Sequence, residues 1–154
     1  ECASHLSGEV MPRIAAAFFL FGILCVIAGM LLGMHMGASE NMTLAAAHAH
    51  LNLAGWATMA LYGTFYTLTR HNKLLWLPRI NFVLSALGTI VMIGFLIPFL
   101  NSGHDPKFLQ GMVLGEVLTL LGALTFAFSV VREMFRHRHG LHHDHGDHHH
   151  HDEI

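Results

Sequence analysis

Four long apolar stretches alternate with short polar links along the chain. They run from Ile14 to Met36, Leu44 to Leu68, Leu77 to Leu100 and Phe108 to Val131. A hydrocarbon core of about 30 Å takes about 20 helical residues to cross, and each stretch is long enough. The links are Gly37 to Thr43, Arg70 to Leu75 and Asn101 to Lys107. Links this short make successive helices antiparallel neighbours. The pattern predicts an all-α integral membrane protein, with four transmembrane helices in an up-down bundle or arc spanning residues 13–136. A polar segment, 1–12, precedes it, and a disordered tail, 137–154, follows. Met11 is a candidate initiator inside the leading segment.

Local signals agree with these boundaries. Pro12, Pro78 and Pro106 precede or open their helices, where a missing N–H costs nothing. Asp105 stands where an N-cap is wanted. Pro98 falls inside the third stretch and predicts a bend near its end. Gly29, Gly33 and Gly37 in the first stretch, and Gly111 and Gly115 in the fourth, are spaced as helix-packing faces. The first stretch is too long for the apolar core of a signal peptide.

Composition supports the membrane reading. Of 154 residues, 53% are hydrophobic and only 12% charged, about half the charge a soluble domain carries. The net charge of -2 gives no reason to expect nucleic acid. Cys2 and Cys25 are far apart and do not form a disulfide framework. Lysine and arginine set the orientation. With the N-terminus inside, Arg13, Arg70, Lys73, Arg79, Arg132, Arg136 and Arg138 are cytoplasmic, and Lys107 alone is outside. This bias predicts cytoplasmic N- and C-termini. Trp76 then anchors the inner interface.

The chain has 15 histidines, nine of them in the tail. Of the six histidines outside the tail, the topology brings His35, His48, His50 and His104 to the outer face and puts His71 in the inner link. His48 and His50 lie in the first turns of the second helix, among Ala45, Ala46, Ala47, Ala49, Leu51 and Leu53. Polar groups at membrane depth are costly and mark functional sites. Residues i and i+2 on a helix are about 200° apart. The two imidazoles therefore point to nearly opposite sides and serve two sites, or one site and one hydrogen bond. The surrounding alanines leave room for a flat macrocycle or another backbone.

Residues 47 to 66, AHAHLNLAGWATMALYGTFY, resemble the haem-ligand helix of subunit I of haem-copper oxidases and nitric oxide reductases. By that resemblance His48 holds a high-spin haem iron and His50 a low-spin one, on opposite faces of the helix. The resemblance implies a b-type haem protein of a prokaryotic cytoplasmic membrane. It would act in electron transfer or in binding a diatomic gas, O2 or NO, beside a redox partner protein. The chain has the length of one of the three four-helix arcs of subunit I, so the resemblance implies a homotrimer with haem between copies. It contains no His-Pro-Glu segment, from which that family builds part of its copper centre. Oxygen reduction with proton pumping is therefore not implied.

Other readings stand beside it. His35 and His104, with Met34, Met36 and Met42, suit copper, since thioether and imidazole bind copper(I). With His48 and His50 they predict a copper- or zinc-handling membrane protein whose histidine-rich tail buffers the ion. Glu116, about two turns into the fourth helix and near the depth of His50, is either a packing residue or a proton relay and partner to a histidine. Asn52 and Asn81 are expected to hydrogen-bond between helices. Trp56, Tyr62, Tyr66 and the phenylalanines are expected in the core or facing lipid.

Overall fold

A computed structural model describes residues 13–69 and 76–140, with side chains described through Phe135. The Arg70 to Leu75 link with His71, the leading segment with Met11, and residues 141–154 of the tail lie outside the described residues. So do the side chains of Arg136 and Arg138.

The described chain is helical throughout, with no strand among the described residues. It forms four rods. The first is α1, Arg13–Ser39. The second is built from α2, Ala45–His50, a π-helical segment, Leu51–Ala57, and α3, Thr58–Leu68. The third is α4, Trp76–Asn101, and the fourth is α5, Leu109–Gly140, entered through a short 3-10 turn, Pro106–Phe108. Three helices are long and apolar enough to cross a membrane: Arg13–Ser39, Trp76–Asn101 and Pro106–Phe135. The second rod keeps helical backbone angles at both internal junctions. Residues 45 to 68 therefore form one rod of roughly 36 Å at 1.5 Å per residue.

Two features depart from the sequence expectations. The second rod is not a uniform α-helix. Its buried positions, Ala47, Leu51, Gly55 and Met59, recur every four residues, wider than the 3.6 of an α-helix. A π turn holds more residues per turn, so the same face stays inward. Below it, burial at Tyr62, Gly63 and Tyr66 returns to α-helical spacing. The second departure is that α5 continues to Gly140, beyond the expected end of the membrane domain at residue 136. Arginine, at positions 136 and 138, sustains a helix well without being apolar.

The end of the bundle holding the 39–45 and 101–108 links is called the histidine end here, and the opposite one the arginine end. At the histidine end Glu40, His104 and Gly103 take positive φ angles of 55°, 73° and 73°. Asn41 Oδ1 accepts from the Thr43 amide at 3.0 Å and its hydroxyl at 2.6 Å. Asp105 caps the next helix by accepting from the Lys107 amide at 3.0 Å, as expected of that residue. The Lys107 ammonium lies 2.7 Å from the same carboxylate. The hydrogen bond and the cation hold the Asp105 carboxyl below its ordinary pKa.

Glycines set the helix spacing. On α1, Gly22 lies against Trp56, Gly29 against Asn52 and Gly33 against His48, while Gly37 faces open space. Gly55 meets Cys25, which is buried and unbridged. On α5, Gly111 meets Phe95, Gly115 meets the main chain of Met92 and Gly122 meets Ser85. The result is two close hairpins, α1 with the second rod and α4 with α5.

The hairpins join toward the arginine end. Phe18, Met59, Tyr62, Tyr66 and Ala86 form the buried cluster, with Phe82 and Phe126 packed on it. Phe18 meets Phe82 edge-on at 5.1 Å, and Tyr62 and Phe126 are 4.3 Å apart. A polar chain runs through this cluster. Ser85 donates to Asn81 Oδ1, Asn81 Nδ2 donates to the Tyr66 hydroxyl at 3.0 Å, and Tyr66 donates to Ser129 at 3.2 Å. Ser129 donates its own hydroxyl hydrogen bond to the Thr125 carbonyl. Asn81 is thus an interhelical hydrogen-bonder, as its polarity predicted. Outside this core the surface is apolar: Leu20, Leu31, Leu53, Leu61, Leu68, Ile90, Leu120 and Leu124 are all exposed.

Candidate functional site

The paired histidines are placed by the helix that carries them. Ala47 and Leu51 point into the bundle and Ala49 points out. His48 and His50 are therefore on opposite flanks of α2.

His48 turns toward α1. A Cβ on Gly33 would lie 2.8 Å from His48 Cε1, so only glycine leaves room for this ring. Its Nδ1 is 2.7 Å from the Gly29 carbonyl oxygen. A carbonyl only accepts, so Nδ1 carries the proton. In the neutral ring Nε2 then keeps its lone pair. Asn52, one turn along, donates to the His48 carbonyl at 2.8 Å and sets its amide 3.3 Å from Nε2. Asn52 was expected to bond between helices. It bonds within its own rod, since the α1 surface opposite it is the bare backbone of Gly29.

His50 turns the other way and is half-exposed. Its Nδ1 donates to the Ala46 carbonyl at 2.7 Å. Its Nε2 has no protein partner among the described residues. The two rings thus share one arrangement, with Nδ1–H fixed on a main-chain oxygen and a lone pair on Nε2, which in His48 faces the Asn52 amide. Ligating histidines are held in this way, because the outer hydrogen bond sets tautomer and ring orientation. The π turn begins at the next residue, and π turns are frequent at functional sites.

The remaining candidates are dispersed. His35 is exposed near the end of α1. His104 lies in the α4–α5 link with its ring 5.0 Å from Phe99. Met34 and Met42 are exposed, whereas Met36 is buried. Among the described residues no three His, Cys, Asp or Glu side chains gather into a group able to hold a metal ion. Glu116 is exposed on α5, between exposed Val113, Leu114, Val117 and Leu120.

Polarity alone did not single out Thr89. It is 1% exposed and lies against Gly55, and its hydroxyl has no hydrogen-bond partner among the described residues. It borders an apolar groove of about 320 Å³ between α1, the π segment and α4, lined also by Phe21, Cys25, Leu51 and Ile93. Neither His48 nor His50 lines this groove. No family model, curated protein or solved structure matches this chain, and the resemblance of residues 47 to 66 rests on those residues alone.

Proposed function

We propose that this chain is an integral membrane protein that holds b-type haem through the imidazoles of His48 and His50. The observation that carries the reading is the shared tautomer: each Nδ1–H is spent on a carbonyl, so both Nε2 atoms keep a lone pair on opposite flanks of one helix, that of His50 without a partner among the described residues and that of His48 beside the Asn52 amide. That donor set fits haem iron, which takes neutral imidazole. A bare zinc or copper ion would need three or four donors, and the described residues of one chain do not assemble three.

The residues divide the work. His48 is positioned by Gly29, Gly33 and Asn52, and His50 by the carbonyl one turn before it. Ala45, Ala46 and Ala49 leave the approach to His50 free of bulk. Haem iron with imidazole on both faces carries single electrons, and with one face open it binds O2 or NO. The apolar rods are read as four membrane spans with both termini cytoplasmic, from the distribution of lysine and arginine. The exposed leucines of every rod support that reading, since a soluble monomer rarely shows such apolar continuity. A ring of three copies is the favoured assembly, because closed symmetry satisfies every interface.

The decisive measurement is an absorption spectrum of the purified, haem-supplemented protein, oxidised and reduced. A Soret band with sharp low-spin bands on reduction is expected. His50→Ala should abolish or shift it. A colourless protein, or a spectrum unchanged in both His48→Ala and His50→Ala, would falsify the assignment.

A further inference from the structure

Glu116 is a carboxylate in the middle of an apolar helix face. Val113, Leu114, Val117 and Leu120 around it are exposed, and the side chain has no polar partner among the described residues. On the membrane-spanning reading, on which this inference rests, that face meets lipid. An unpaired carboxylate facing lipid is costly, and such groups normally turn to a partner or a cavity.

The fold limits what the partner is. Among the described residues Arg13, Arg79 and Arg132 belong to the arginine end, and Lys107, His35 and His104 to the histidine end. Between these ends the basic groups are His48 and His50. His48 is seated in the α1 glycine notch. His50 alone of the two has a ring nitrogen without a partner among the described residues.

Levels along the bundle are read from α4. Gly55 packs at Thr89 and Gly115 at Met92. His50 is five residues nearer the histidine end than Gly55, and Glu116 one residue deeper than Gly115. At 1.5 Å per residue the two are about 4.5 Å apart along the axis, less than one helical turn. They lie on different rods, each turned outward. One chain leaves an acidic face on α5 and an imidazole face on α2 at the same level, with neither satisfied.

We propose that the α5 face centred on Glu116 docks against the His50 face of a second copy of this chain. The contact is heterologous, acidic face to imidazole face, so each copy uses both surfaces in a closed ring. The neighbour's Glu116 then stands beside the imidazole of His50, and one proton shared between its carboxyl group and Nε2 joins the two where no iron is bound. The site is incomplete in one chain and is finished by the next.

Disulfide trapping in membranes tests this. By the same levels Leu61 and Leu124 face each other across the contact, since Gly122 packs at Ser85; both are exposed. A full-length chain carrying Leu61→Cys is co-expressed with a differently tagged chain carrying Leu124→Cys, and the membranes are mildly oxidised. Mixed dimers are expected well above those from either variant alone or from unmodified chains. Adding Glu116→Gln to the Leu124→Cys chain should lower the mixed yield roughly threefold, the size expected for one polar contact inside a membrane. Absence of mixed dimers, like-with-like dimers, or a yield indifferent to Glu116→Gln overturns the proposal. Alkali extraction of the same membranes separates the causes. An extracted chain overturns the membrane reading and this contact with it. A retained chain without mixed dimers overturns the contact alone.

Discussion

At the scale of single residues, two histidines of the same type two positions apart have different work. His48 is bonded to the Gly29 carbonyl and fills the notch at Gly33. Removing its ring loses that interhelical bond and leaves a void between rods. His50 bonds only within its own helix. His48→Ala should therefore cost about 1–3 kcal/mol of stability, while His50→Ala stays within about 0.5 kcal/mol. Thermal unfolding in detergent, followed by circular dichroism, checks this; equal losses for the two variants would refute the division of roles. The pair itself was legible in the sequence, because imidazoles among alanines at membrane depth are conspicuous and the i, i+2 spacing fixes opposed directions. Their hydrogen bonds were not legible. The partner of His48 is a main-chain oxygen 19 residues away, and nothing about a glycine announces that its carbonyl will be used.

At the scale of elements, the four rods were legible because apolar length reports directly on helices. The starts of α2 and α5 agree with the expected ones within a residue. The end of α5 was not legible, since hydropathy measures where lipid could begin and not where helical hydrogen bonding stops. The π turn left a trace, the run of buried positions every four residues from Ala47 to Met59. That run signals a change of period only once burial is known. Glycine spacing was partly informative. Gly29 and Gly33 face the second rod, but Gly37, at the same spacing, faces nothing. The contrast gives a prediction for α5. Gly115 is buried against the main chain of Met92, which cannot move aside like a side-chain tip. Gly115→Leu should open the α4–α5 hairpin and destabilise by at least about 1–3 kcal/mol. Gly37→Leu should stay near neutral. Limited proteolysis in detergent reads the difference, and comparable resistance of the two variants would show that α5 does not need this approach.

At the scale of the whole molecule, polarity is distributed in the opposite sense to that of a water-soluble bundle. Leucines cover the outside, and Asn81, Ser85, Thr89 and Ser129 are buried. In lipid, apolar burial supplies little drive for helices to associate, so close packing and hydrogen bonds between rods must supply it. The glycine contacts do this within each hairpin. Between hairpins the work falls to the aromatic cluster and to the chain from Asn81 through Tyr66 to Ser129, which ties α4, α3 and α5 together. Tyr66 is its centre, accepting from one rod and donating to another. Tyr66→Phe keeps the ring packing against Phe18 and Phe65 but leaves the Asn81 amide without its acceptor. Each hairpin should stay helical while the joint between them loosens, at a cost of about 1–3 kcal/mol. Amide exchange should rise at the facing surfaces of α3, α4 and α5 near the arginine end, with little change at Gly29 and His48. Uniform protection in the variant would place the joint in the aromatic cluster alone.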